Sequence, residues 1–264
     1  MVLVSGGAEL AVDVVGRHGP ALVWGHGLTS CRAAEDQRAL FAWRSASGTE
    51  AWRWVRYDAR GHGDSGGTPD PESYEWHALA NDMLAVADDI GADRFVAGGA
   101  SMGCASALYA TLLAPDRVDA LVLVIPPTAG ETRAAQRLTY FDNADFVERN
   151  GKQAWLDARQ ALPRPEIFAG EPELPIEAWV DEALLPSVLR GAAASDLPGS
   201  DRLASITQPA LILAWATDPT HPVSTAEMLA ASLPSCELYV ASTLHDVGRW
   251  PALVAEHITR YGAR

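Results

Sequence analysis

Over its first 125 residues the chain alternates short apolar runs with stretches of helical spacing, and that rhythm restricts it to a sheet of mainly parallel strands joined by crossover helices. The strands expected from it are Leu10–Val15, Ala21–Trp24, Trp52–Tyr57, Arg94–Ala97 and Ala120–Ile125. Between the third and fourth, Trp76, Leu79, Met83, Val86 and Ile90 recur at helical spacing, with Ser73 as the expected N-cap and Gly91 just past the end. Strand chemistry resumes at Ala210–Ala214 and Glu237–Val240, followed by helices around Thr225–Leu233 and Trp250–Tyr261.

The rhythm breaks between Pro126 and Ser205. Helical stretches are expected there at Glu131–Phe141, Lys152–Leu162 and Ile176–Arg190, punctuated by prolines. Residues 1–125 and 206–264 then form an α/β core, and 126–205 a helical cap packed on it, since no repeat or low-complexity linker lets the segment hang free.

Composition excludes several classes. With 48% hydrophobic and 20% charged residues the chain is too apolar for disorder and rich enough for a sizeable core. A formal charge of −14 repels phosphate backbones, and no lysine or arginine cluster offsets it, so nucleic acid is not an expected partner. No apolar run reaches the roughly 20 residues of a membrane span, and the N-terminal stretch lacks a basic leader region. Cys31, Cys104 and Cys236 have neither metal-ligand spacing nor an obvious pairing and read as reduced thiols. The expected setting is the cytoplasm, the expected partner a small molecule, and the expected state a monomer or homodimer.

The sharpest chemical signal is Gly99-Ala100-Ser101-Met102-Gly103, between the strand Arg94–Ala97 and the helix Met102–Leu113. A serine on so tight a turn takes a strained backbone, while flanking glycines remove the Cβ atoms that collide where strand and helix meet. The hydroxyl is thereby held at the carboxyl edge of the sheet, beside the free N–H of Met102 and the positive end of a helix. An activated serine needs a base and a group that orients it. Asp218 follows one later strand and His245 another. Of the other histidines, His26 and His62 read as loop-shaping, and His221 as too close to Asp218 in the chain to approach it from the far side. Asp246 and Glu227 read as solvated acids. The segment Trp24-Gly25-His26-Gly27-Leu28-Thr29 brings a second backbone donor, the N–H of Leu28, to the same edge.

These residues resemble the α/β-hydrolase family. The likeness is carried by Gly25-His26-Gly27, the Tyr57–Ser65 loop, the Gly99–Gly103 elbow, the Asp218 segment and His245, in the order serine, acid, histidine. It implies an eight-stranded, mostly parallel sheet with a helical cap, Ser101 as nucleophile, His245 as base, Asp218 as orienting acid, and an oxyanion hole from the N–H groups of Leu28 and Met102. No metal or organic cofactor is implied. Cys104 stands where many relatives carry glycine, Trp215 replaces a small residue and narrows the pocket, and the His-Gly loop lacks the glycine run of many lipases. Trp24, Thr29, Trp155, Trp179, Trp215 and Val247 are candidate pocket residues. The expected reaction is hydrolysis of a small to medium, largely neutral ester or lactone. Carbon–carbon bond hydrolysis, thioester hydrolysis, perhydrolysis and a slow-turnover ligand receptor are the alternatives on the same fold.

Overall fold

In the computed structural model, which describes residues 1–38, 41, 43, 51–172 and 175–263, eight strands form one sheet in the order β1-β2-β4-β3-β5-β6-β7-β8. They are β1 (Val2–Ser5), β2 (Ala8–Val15), β3 (Ala21–Gly25), β4 (Arg53–Tyr57), β5 (Phe95–Ala100), β6 (Val118–Val124), β7 (Ala210–Trp215) and β8 (Cys236–Ala241). The β1–β2 and β2–β4 pairings are antiparallel and every pairing from β4 to β8 is parallel. Central strands β3, β5, β6 and β7 are buried along their whole length, as expected of a sheet covered on both faces. β1 was not among the strands expected from the sequence.

The helices are α1 (Arg32–Arg38), α2 (Trp76–Asp89), α3 (Met102–Leu113), α4 (Glu131–Gln160), α5 (Leu185–Ala194), α6 (Ser200–Ala204), α7 (Val223–Ser232), α8 (Leu244–Val247) and α9 (Trp250–Tyr261). The crossover helix α2 buries Trp76, Leu79, Met83 and Val86, as its spacing predicts. Ser73 does not cap it. That residue lies in a 3₁₀ turn, Pro71–Tyr74, capped by Asp70, and Glu75 occupies the α2 N-cap position without a side-chain bond.

Between β6 and β7 the chain carries α4, α5 and α6 joined by non-helical stretches, with two departures from expectation. Glu131–Phe141 and Lys152–Leu162 belong to one helix, α4, kinked where Gly151 takes φ 85° and ψ 163°. Ile176–Arg190 is not a single helix. Its first half is extended, with Val180 bridged to His62, and α5 begins only at Leu185, where Pro186 fits the first turn. Tertiary pairing overrides helix spacing here: Trp179 N–H donates to Thr29 O at 2.8 Å, and Gly63 N–H donates to Trp179 O at 2.7 Å.

This helical segment has its own apolar cluster, including Tyr140, Ala144, Val147, Trp155, Val188 and Leu189. It is fixed to the core by a buried arginine. Arg133 donates to Ser195 O at 2.8 Å and to Ala192 O, and its guanidinium lies 4.1 Å over the ring of Trp76. The Trp76 backbone N–H in turn donates to Ser195 Oγ at 2.9 Å.

Candidate active site

The loops at the carboxyl ends of β3, β4, β5 and β7 build the site. After β4, Asp58 is the organising carboxylate: it accepts from the Arg32 N–H at 2.8 Å, the Asp64 N–H at 3.0 Å and the Arg32 guanidinium at 3.1 Å. Arg60 forms a two-pronged pair with Asp82 of α2, at 2.8 and 2.6 Å. The two loop histidines have the shaping role expected of them. His26 Nε2 accepts from Ala59 N–H at 2.9 Å and His62 Nε2 accepts from Thr29 N–H at 3.3 Å, while each Nδ1 sits 2.8 Å from a carbonyl oxygen and donates to it. Burial lowers both, His62 to about 3, so the rings stay neutral.

Ser101 stands between β5 and α3 with φ 52° and ψ −110°, a conformation that costs about 1–3 kcal/mol and persists only where neighbours enforce it. They do. Ser101 N–H donates to Val124 O at 3.0 Å, and Cys104 N–H donates to Ser101 O at 2.9 Å. A Cβ on Gly103 would lie 2.0 Å from Gly25 O, and one on Gly99 would lie 2.4 Å from the Gly103 backbone. Only glycine permits α3 to approach β3 and β5 so closely. Cys104 is buried behind the turn, its single S–H shared between Gly99 O and Val124 O at 3.2 and 3.1 Å, and burial pushes its pKa up. It packs beneath the serine and does not line the cavity.

The histidine that meets Ser101 is His221. Its Nε2 lies 2.9 Å from Ser101 Oγ and its Nδ1 lies 2.7 Å from Asp218 Oδ2. His245, the expected base, is exposed on α8 beyond the edge strand β8, on a turn closed by a reciprocal Thr243–Asp246 cap. The objection to His221, its nearness to Asp218 in the chain, fails for a local reason. Thr217 takes φ 68°, Asp218 Oδ1 accepts the Thr220 N–H at 2.9 Å, and His221 N–H donates to Asp218 O at 3.2 Å. This tight turn folds the imidazole back over the carboxylate three residues before it.

Asp218 also accepts the indole N–H of Trp215 at 3.0 Å. Burial opposes its ionisation, but the hydrogen bond and charge of His221, with the Thr220 and Trp215 donors, outweigh it and hold the acid down at about 2. An ionised Asp218 fixes the imidazole with Nδ1 protonated and Nε2 facing the hydroxyl. The arrangement is a hydroxyl, an accepting nitrogen and an orienting carboxylate in series, competent for proton removal from an attacking oxygen.

The N–H groups of Leu28 and Met102 take part in no hydrogen bond among the described residues. Met102 is the first residue of α3, where backbone donors have no partner within the helix. Leu28 lines a cavity of about 240 Å³ that also touches Ser101 and His221. Of the expected pocket residues only Trp215 lines it, stacked at 6.0 Å on Trp250 and edge-on to Phe168 at 5.1 Å. Trp24 lies in the core with its indole on Glu35; Val247 is core. Trp155 is in the core of the helical segment. Thr29 and Trp179 tie loops together by backbone bonds. Conversely Glu35, Phe41 and Phe168 face the cavity. Nothing in the local sequence pattern marks Glu35 or Phe41 as cavity residues.

A family model described as the alpha/beta hydrolase fold matches residues 20–247. The chain belongs to that family. As a hydrolase it is 29% identical, over 70% of its length and 71% of the relative's, to RutD of Klebsiella pneumoniae (strain 342), which carries the designation of a carbamate hydrolase. It is 34% identical over 116 residues to epoxide hydrolase 2 of Siraitia grosvenorii, where the match spans 35% of that relative. Among solved structures it resembles the enol-lactonase of Burkholderia xenovorans LB400, with a TM-score of 0.80 at 22% identity over 98% of this chain and all of the other. A hydrolase from Pseudomonas aeruginosa PA01 gives 0.78 at 24% identity, over 98% and 97% of the two chains. Both likenesses lie in the fold. No described helix of this hydrolase is long and apolar enough to cross a membrane.

Proposed function

We propose that the protein is a serine hydrolase in which Ser101 attacks an acyl carbonyl, His221 removes its proton and Asp218 orients and stabilises the imidazolium. The unbroken hydrogen-bonded series from Ser101 Oγ through His221 to Asp218, at 2.9 and 2.7 Å, carries the reading. Leu28 and Met102 N–H groups hold the developing oxyanion. Loss of the leaving group gives an acyl-enzyme, and water activated by His221 cleaves it to the acid and free Ser101.

The substrate class is a small to medium, largely neutral ester or lactone. Its reacting end enters a cavity of about 240 Å³, below the roughly 300–1,000 Å³ of sites for drug-sized ligands. The wall is apolar at Leu28, Phe41, Ile125, Phe168 and Trp215, and the bulk of Trp215 supports the narrow pocket its position implies. An outer groove of about 370 Å³ shares Arg38 and Phe168 with this cavity and receives the rest of the substrate. We treat 126–205 as the cap over this mouth, and the three free cysteines support a reducing, cytoplasmic setting.

The test is labelling by a fluorophosphonate together with turnover of p-nitrophenyl butyrate. Ser101→Ala abolishes the label and lowers kcat by about five to six powers of ten. A variant that keeps most of its activity overturns the mechanism.

A further inference from the structure

Among the described residues, Glu35 is the one acidic side chain in the wall of the Ser101 cavity. It is 9% exposed, on α1, and both carboxyl oxygens face a single donor, the Trp24 indole N–H, at 3.1 and 3.0 Å. No guanidinium pairs with it among the described residues. Arg56 is spent on Asp13 and Asp36, and Arg32 on Asp13, Asp58 and Asp64. A buried carboxylate with one neutral donor is poorly compensated, whereas the neutral acid keeps an O–H to offer to whatever enters the cavity. Burial, only partly offset by the Trp24 hydrogen bond and the Arg56 charge and reinforced by Asp36 and Asp58, raises the group to about 8.

Resting on the ester-hydrolase reading above, we propose that Glu35 is a substrate-binding residue whose carboxyl O–H donates a hydrogen bond to a second carbonyl oxygen of the ester, one that is not attacked. Trp24 can serve one oxygen of the neutral carboxyl as donor, which leaves the proton on the other oxygen for an acceptor in the cavity, in the manner of carboxylic acids kept neutral by apolar sites. Glu35 thereby selects oxygenated esters over hydrocarbon ones of the same shape. Among the described residues the charged and titratable groups around it are Cys31 just before its helix, Arg32, Asp36 and Arg38 on that helix, Arg56 and Asp58 from β4 and the loop after it, and His221, which lines the same cavity.

The experiment compares matched ester pairs by kcat/KM. p-Nitrophenyl 4-oxopentanoate against the 4-methylpentanoate puts the second oxygen on the acyl side, and 2-oxopropyl against 2-methylpropyl butanoate puts it on the alcohol side. In at least one pair, Glu35→Leu lowers the oxygenated-to-hydrocarbon ratio about fivefold, the effect of one ordinary hydrogen bond. Glu35→Gln, whose amide accepts from Trp24 and donates to the ligand, retains the wild-type ratio. In the wild type that ratio falls as pH rises through about 8, where the donor proton is lost, and in Glu35→Gln it stays level. This pH comparison decides the question without Glu35→Leu if that variant does not fold. Ratios unchanged in both pairs, or identical pH profiles for wild type and Glu35→Gln, overturn the proposal. Fluorophosphonate labelling of Ser101 separates the two levels: a labelled enzyme with unchanged ratios defeats the Glu35 role alone, and an unlabelled one defeats the underlying mechanism.

Discussion

The residues around the site leave a signature in the pH dependence of stability. His62 is neutral in the fold down to about pH 3, against 6.5 for an ordinary histidine. Between those values the unfolded chain binds the extra proton, so stability rises with pH. Glu35 works in the opposite sense. From 4.5 up to about 8 the folded protein holds a proton that the unfolded chain has released, so stability falls as pH rises. The two slopes oppose each other between 4.5 and 6.5, leaving a descending limb from 6.5 to 8 worth about 2 kcal/mol. Thermal unfolding followed across this range shows that limb in the wild type and a level one in Glu35→Gln. A wild-type limb that is flat removes the neutral acid from the account.

At the scale of elements, the elbow depends on how closely α3 lies against β3. Gly103→Ala places a methyl group 2.0 Å from the Gly25 carbonyl oxygen, and backbone cannot yield as a side-chain tip does. The expected loss is at the upper end of the ~1–3 kcal/mol of overpacking, or larger, with activity falling further than stability because Ser101 moves with the helix. Denaturant unfolding and ester turnover on the same preparation check both. This element was legible in sequence, because a Gly-x-Ser-x-Gly turn between a strand and a helix has few geometric solutions. The turn that brings His221 onto Asp218 was not. It depends on Thr217 adopting φ 68° and on the Asp218–Thr220 side-chain bond, neither of which separation along the chain reveals. The same limit applies to the pocket. Tryptophan identity does not say which way a ring points, and Trp24 and Trp155 turn into cores while Trp215 turns to the cavity.

Across the whole molecule, the buried parallel strands were legible because apolar runs mark them, whereas β1 and the order of the strands in the sheet were not. The extended stretch before α5 was hidden because its partners, Thr29, His62 and Gly63, lie more than a hundred residues away. Those ties join the helical segment to the loops that build the site, and Arg133 joins it to α2 through the ring of Trp76. Arg133→Ala strips Ser195 O and Ala192 O of their buried donor and empties the space over Trp76. The expected loss is about 2–4 kcal/mol, seen as a lowered denaturation midpoint, and early proteolysis within 126–205. Cleavage that begins in the sheet instead argues against a separately docked cap.

The account turns on which imidazole takes the proton from Ser101, and kcat/KM for p-nitrophenyl butyrate in His221→Ala and His245→Ala, with folding verified by circular dichroism, decides it. The predicted result is a loss of about four to six powers of ten in His221→Ala and a change within about threefold in His245→Ala, whose side chain is exposed beyond the edge strand. The reverse outcome, with His245→Ala inactive and His221→Ala active, contradicts it.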